Sequence, residues 1–262
     1  MITLKSRYEV EKIRFSCGIV AEVLNHLGEV VAPGATTLDL EKIAEELIRK
    51  KKVKPAFKGY HGYPCCLCTS INEEVVHGIP SSKRVLKSGD IVGVDVGVIH
   101  DGYYGDAAKT FAVGVVSPEV QMLLTVTEES LYKGIEQAVD GNRLSDISHA
   151  IQRHAEAAGY SAVRDFVGHG IGRMLHEEPQ VPNYGPPGKG PKLKSGMVLA
   201  LEPMINQGRY EVEVLEDGWT AVTADRKLSA HFEHTIVVTE DGPVILSRLD
   251  DRQGQGTLQK DL

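Results

Sequence analysis

The sequence predicts an α/β (α+β) fold of two pseudo-symmetric halves, each reading helix, helix, strands, around a central antiparallel sheet. Three observations predict it. Apolar residues recur at helical spacing in two pairs of segments, and each pair runs into β-rich sequence. The two runs match each other at one fixed offset. A long β-branched run, Ile91-Val-Gly-Val-Asp-Val-Gly-Val98, also turns back on itself through Asp101-Gly102, the residue pair of a two-residue hairpin.

Residues 8–27 carry Ile13, Cys17, Val20, Val23, Leu24 and Leu27 at helical spacing, and Gly28 is expected to end that helix. A second helix over about 37–51 shows the stripe Leu40, Ile43, Ala44, Leu47, Ile48, with Thr36-x-x-Asp39 as its capping box. Residues 53–80 read as strands and loops, with Tyr60-His-Gly-Tyr-Pro64 as an aromatic turn and Ser70-Ile-Asn72 closing a short strand. The acidic hairpin takes 90–115, and helices follow at about 118–139 and 145–158. From 160 strands return, with a second Asp-Gly turn at Asp217-Gly218 and a last strong strand, Thr235-Ile-Val-Val-Thr239. The polar tail 249–262 predicts disorder.

The repeat is explicit. Leu86-Lys-Ser-Gly-Asp-Ile-Val-Gly-Val-Asp95 aligns with Leu193-Lys-Ser-Gly-Met-Val-Leu-Ala-Leu-Glu202 at an offset of 107. The same offset sets Gly34 on Gly141 and Asp39 on Asp146, and one further residue sets His61-Gly62 on His169-Gly170. Duplication makes Asp95 and Glu202 equivalent strand positions, brought together at a pseudo-twofold axis.

Composition narrows the function classes. A chain of 262 residues, 42% hydrophobic and 25% charged, suits a soluble protein with a substantial core. A net charge of −7 argues against nucleic-acid binding, and the basic run Arg49–Lys52 reads as a solvated helix end. No signal core and no window near 18 apolar residues is present, so a cytoplasmic protein without DNA or membrane partners is expected. Of four cysteines, Cys65, Cys66 and Cys68 crowd together and Cys17 stands apart, which supports neither a disulfide framework nor a zinc ribbon.

The chemistry converges on acids. With Asp101-Gly102 as the turn, His100 pairs with Tyr103 and residue 97 with Asp106, so Asp95 and Asp106 share one face, roughly 7–8 Å apart. Two carboxylates aimed at one place repel unless a proton or cation lies between them. Glu202 sits in the apolar Val198-Leu-Ala-Leu-Glu-Pro-Met-Ile205, Glu233 opens the last strand, and His169 stands between glycines. Each alone reads as a capped turn or a satisfied core residue. Four carboxylates and one imidazole on buried strand ends of a duplicated chain suit a pair of hard or borderline divalent ions such as Mn, Fe, Co or Zn. Two such ions about 3.5–4 Å apart can hold a hydroxide and clamp attacking and leaving oxygens.

These residues sit in motifs that closely resemble the type I methionine aminopeptidases of the bacterial, extension-free form, from about 4 to 247. The motifs are Gly59-Tyr-His-Gly-Tyr-Pro64, Ile71-Asn72, His77-Gly-Ile-Pro80, Asp95 with Asp106, Gly168-His-Gly-Ile-Gly-Arg173, His176-Glu-Glu-Pro-Gln-Val181, Glu202-Pro-Met204, Asp217-Gly-Trp219, and Ser229-Ala followed by Phe232-Glu-His-Thr235. The resemblance implies the pita-bread fold, with residues 1–248 as one catalytic domain of halves about 8–115 and 118–240. It implies hydrolytic removal of the initiator methionine from nascent chains, at the ribosome, when the second residue is small, by a monomer with two divalent ions per chain. Asp95 would chelate one metal, Asp106 and Glu233 bridge both, and His169 and Glu202 complete the second. Glu202 would also shuttle protons, and His77 and His176 would bind the scissile amide without ligating metal. A monovalent cation near Asn72 and Ser229 is a further implication.

The methionine pocket implied by the resemblance is walled by Tyr60, Tyr63, Cys68, His77, Leu175, His176 and Trp219, the one tryptophan, since thioethers favour rings and sulfur. Phe57 and Leu175 stand where relatives often carry Cys and Phe, and Leu175 is expected to widen the pocket. Gly97 replaces a frequent hydroxyl residue and removes a hydrogen bond behind Asp95. The loop Tyr184-Gly-Pro-Pro-Gly-Lys-Gly-Pro191 is slightly elaborated. His26, His100, His149, His154, His231 and His234 read as structural, with His231 alone sharing the face of Glu233. Three alternatives share the fold: a prolidase or aminopeptidase P, set aside because the first helix starts close to the N-terminus; a non-catalytic binding protein; and a metal-free creatine-type hydrolase. Both of the latter are disfavoured by five intact acid and imidazole positions.

Overall fold

The computed structural model describes residues 1–249; residues 250–262 of the expected tail lie outside the described residues. Helices α1 (Arg7–Val30) and α2 (Thr37–Lys50) precede β1 (Lys54–Pro55), β2 (Leu67–Ile71), β3 (Glu74–Val76), β4 (Ile91–His100) and β5 (Tyr103–Ala112). Helices α3 (Pro118–Ile135) and α4 (Leu144–Ala157) then precede β6 (Ser161–Ala162), β7 (Gly168–Gly170), β8 (Glu177–Val181), β9 (Val198–Leu201) and β10 (Met204–Asn206). The chain continues through β11 (Val212–Val214), β12 (Ala221–Thr223), β13 (Ser229–His231), β14 (His234–Thr239) and β15 (Gly242–Ile245).

The helices start where the side chains can cap them. Thr36 and Asp39 exchange side-chain and backbone hydrogen bonds at the start of α2, and Ser6 and Glu9 do the same for α1. Gly28 does not end α1, which runs on to Val30. Its missing side chain serves packing instead, because a Cβ there would lie 2.7 Å from the Phe111 ring. Gly105 in β5 lets the same helix lie directly on the sheet, where a Cβ would meet the Cys17 nitrogen at 2.5 Å. Helix α3 stops at Ile135, short of the expected 139, and 310-like bonds from Gln137 and Ala138 tighten its end.

Duplication is visible in the backbone bonds. Gly34 N–H donates to Leu86 O and Leu86 N–H to Ala35 O; 107 residues on, Gly141 N–H donates to Leu193 O and Leu193 N–H to Asn142 O. The bridges Thr36–Val85 and Arg143–Lys192 repeat the offset again. One sequence match does not carry over. His61 lies in a 310 turn, curled by positive φ at Gly59, His61 and Gly62, whereas His169 lies inside β7.

Among the described residues the strands form four antiparallel sheets rather than one uninterrupted sheet, including β1-β4-β2 with β5 on β4, and β15-β14-β9-β7-β8. The interruptions have a cause. Pro203 and Phe232–Glu233 separate β9 from β10 and β13 from β14, and proline has no N–H for the ladder. The halves meet along a seam between β5 and the β13–β14 segment. There Glu233 N–H donates to Ala108 O at 2.8 Å and the Thr235 hydroxyl donates to Asp106 O at 2.8 Å. One core cluster gathers α1 and α2 under the first hairpin, and another gathers α3 and α4 under β9 and β14.

Candidate metal centre

The hairpin sets the first two acids. His100 pairs with Tyr103 and Gly97 with Asp106, as the Asp101-Gly102 turn requires, and both turn residues have positive φ. Asp95 faces Ala108 on one neighbour and Cys68 on the other. Glu202 follows the last residue of β9, with its carbonyl held by the buried Asn183 amide at 3.1 Å. Glu233 stands at the break between β13 and β14. Each acid therefore projects from backbone fixed by hydrogen bonds to another strand or loop.

His169 is placed by its glycines. A Cβ on Gly168 would lie 2.4 Å from Ala200 O, and one on Gly170 would lie 2.3 Å from Glu178 O, so only glycine lets β8 and β9 close on this strand. The His169 Nδ1–H donates to Gly170 O at 2.9 Å, which leaves Nε2 as the bare lone pair. That nitrogen lies 3.5 Å from Glu202 Oε1. Ligand atoms of Asp106, His169 and Glu233 lie within 4.8 Å of one another.

Electrostatics make the cluster a cation cradle. Asp106 and Glu233 are 4% and 3% exposed, and Asp95 Oδ1, Asp106 Oδ1 and Glu233 Oε1 have no hydrogen-bond partner among the described residues. Burial pushes Asp95 up to about 7. Burial, then repulsion from the neighbouring acids, holds Asp106, Glu202 and Glu233 well above the ordinary carboxylate range. Burial, then His176, pushes His169 down to about 3, which keeps its imidazole neutral and able to ligate. Among the described residues the cavity lining contains no Lys or Arg. Orphaned, oxygen-rich acids plus one free imidazole nitrogen fit divalent cations, which neutralise what protons would otherwise have to.

All five of these residues line one cavity of about 260 Å³, together with His77, His176, Tyr60, Tyr63, Cys68, Leu175 and Trp219. His77 has a φ of 62°, and its ring stands perpendicular to Phe166 at 5.4 Å; burial lowers it to about 4. His176 stacks edge-on to His169 at 4.4 Å and meets the Tyr60 hydroxyl through Nδ1 at 2.7 Å. Tyr63 packs on Trp219 at 5.1 Å, while its hydroxyl lies against Leu67 O and Gly78 O. Phe57 and His61 also line the cavity, and Phe166 backs His77; the motif and pattern reading assigns no role to His61 or Phe166. The His61 match to His169 in the repeat was the available signal.

The Gly97 departure has a packing partner. A Cβ at Gly97 would lie 2.8 Å from Phe57 Cε1 and 3.3 Å from Asp106 Oδ1, so the Phe57 ring occupies the space a side chain at 97 would take. His234 points away from the acids, to Ser247 Oγ at 2.8 Å and the Tyr132 ring on α3. The 184–191 loop packs on α4, where Gly188 N–H donates to Asp146 and Gly185 N–H to Gln152. Ser229 N–H donates to Asn72 O at 2.9 Å.

A model of Metallopeptidase family M24 matches residues 11–240, and the chain belongs to that family. The methionine aminopeptidase of Clostridium acetobutylicum is 55% identical over 247 residues, covering 94% of this chain and 99% of that protein. Methionine aminopeptidase 1 of Bacillus subtilis is 53% identical over 249 residues, covering 95% and 100%. The methionine aminopeptidase structure from Thermotoga maritima superposes with a TM-score of 0.94 at 50% identity, over 95% of this chain and 100% of that one. Within family M24 the chain groups with the methionine aminopeptidases. The prolidase of Pyrococcus horikoshii, at a TM-score of 0.76 and 22% identity, shares the pita-bread fold, and this chain covers 64% of it. Among the described residues no helix is long and apolar enough to cross a membrane.

Proposed function

We propose that this metallopeptidase removes the N-terminal methionine from nascent polypeptides whose second residue is small, using two divalent ions held at the acidic cluster. One observation carries the reading: four carboxylates and a neutral imidazole enter one cavity whose lining, among the described residues, has no Lys or Arg. Asp95, Asp106, His169, Glu202 and Glu233, which line that cavity, would hold the ions. When bound, the ions supply Lewis acidity and an activated water.

The chain's own groups supply the rest. Glu202, whose burial favours the protonated form, accepts a proton from the attacking water and returns it to the leaving amine. His77 and His176 flank the scissile amide and stabilise charge on its oxygen and nitrogen, and the Tyr60 hydroxyl orients His176. Leu175, Phe57, Tyr63, Cys68 and Trp219 enclose the thioether side chain. A cavity of about 260 Å³ falls just under the 300–1,000 Å³ of drug-sized sites, which suits a single amino-acid side chain. The same reading places a monovalent cation beside Asn72 and Ser229, and a monomer acting in the cytoplasm on chains leaving the ribosome.

The test uses chelator-stripped protein given Mn, Co or Fe and assayed on Met-Gly-Met, X-Pro and Leu-Gly peptides side by side. Methionine release restricted to metal-loaded protein is expected. No release with any metal would sink the reading, and faster X-Pro cleavage would favour a prolidase.

A further inference from the structure

Glu202 lies between two imidazoles. His169 Nε2 is 3.5 Å from Oε1, and His231 Nε2 is 3.9 Å from Oε2. His231 is 4% exposed, and its Nε2 has no hydrogen-bond partner among the described residues. An unpaired buried polar atom is costly, so it calls for a compensating role. Nor is the ring there by looseness. The Thr110 hydroxyl accepts from His231 N–H at 2.9 Å and donates to His231 O at 2.8 Å, which fixes the residue to β5 at the seam between the halves.

We propose that His231 is a positioning residue for Glu202: its Nε2–H donates to Oε2 and fixes the carboxylate so that Oε1 stays beside His169. The proposal rests on the metal reading above. An N–H···O bond of about 2.9 Å is shorter than the present separation by about 1 Å, and the terminal torsion of glutamate is soft enough to close that gap. A neutral donor orients a carboxylate without the full counter-charge that Lys or Arg would bring, so Glu202 keeps its affinity for metal and proton. This differs from ligation: His231 reaches Oε2, whereas His169 lies beside Oε1.

The test is calorimetric titration of Mn or Co into chelator-stripped full-length protein, comparing wild type with His231→Phe, His231→Ala and His231→Gln, alongside the melting temperature of each metal-free protein. Loss of a partner behind a metal ligand weakens affinity by about 10- to 100-fold. His231→Phe and His231→Ala should weaken one equivalent by that factor and spare the other, while His231→Gln, which retains an N–H donor, recovers most of the loss. Unchanged affinity for both equivalents in His231→Phe and His231→Ala would overturn the proposal. So would equal weakening of both equivalents with a lowered metal-free melting temperature, which marks a packing role. Failure of the wild type to bind metal would instead overturn the metal reading itself.

Discussion

Gly97→Ala offers a quantitative test of how the cradle is packed. Gly97 is not among the positive-φ positions, so an alanine there strains no backbone torsion. The added methyl would sit 2.8 Å from Phe57 Cε1 and 3.0 Å from Ala56 Cβ, against ordinary carbon contacts of about 3.5–4.0 Å. The ring must retreat by about 1 Å, and overpacking of this kind costs about 1–3 kcal/mol. Phe57→Ala removes a side chain only 8% exposed and should cost about 3–5 kcal/mol through the cavity left behind. In the double variant the methyl grows into the vacated space, so the combined loss should fall short of the sum by about 1–2 kcal/mol. Urea denaturation of the four metal-free proteins measures this cycle. Additivity within about 0.5 kcal/mol would refute the packing account. Because Asp106 Oδ1 lies 3.3 Å from the same Cβ, the single Gly97→Ala variant should also bind metal more weakly.

His77→Ala should leave metal content unchanged and lower turnover by about 10²- to 10³-fold, as expected for loss of a charge-stabilising group; metal loss measured by elemental analysis would show the role to be wrong. Inserting one residue between Asp101 and Gly102 should turn Asp106 to the other face of the hairpin and lower metal stoichiometry, unless a bulge restores the register. The acids' raised proton affinity penalises the metal-free fold as pH rises from about 4, through about 7 for Asp95 and further for Asp106, Glu202 and Glu233. Buried His77 and His234 (both about 4), His169 and His231 (both about 3) penalise it as pH falls below about 6.5, so the two sets oppose each other between about 4 and 6.5; above that the acids act, joined toward about pH 8.5 by the buried Cys17, Cys66 and Cys68 thiols in the same direction. The metal-free melting temperature should therefore fall above pH 6.5 and metal should remove that fall; a metal-free value rising from pH 6.5 to 8.5 would contradict the assignment.

The parts of the site read from sequence were those set by local rules. Asp101-Gly102 dictates the turn, the turn dictates the register, and the register puts Asp95 and Asp106 on one face. The glycines around His169 told of close backbone approach for the same local reason. What stayed hidden depends on contacts between distant segments. The close packing of Phe111 in β5 on Gly28 joins residues far apart in the chain, and nothing near Gly28 signals it. The breaks between strands coincide with Glu202, where apolar strand patterning suggested continuity, and with Glu233, which was expected at the mouth of the last strand. His61 and Phe166 join the cavity through loop geometry, and the filling of Gly97 by Phe57 joins residues forty positions apart. The methionine substrate came from resemblance; the hairpin explains only why two acids meet.

Anomalous X-ray scattering from crystals of the full chain loaded with manganese or cobalt tests the central claim most directly. Two peaks are predicted in the cavity, held by Asp95, Asp106, His169, Glu202 and Glu233, with His77 and His176 outside bonding distance of either ion. A single peak outside that cluster, or ligation by His77, His176 or Cys68 in place of one of the five, would contradict the account.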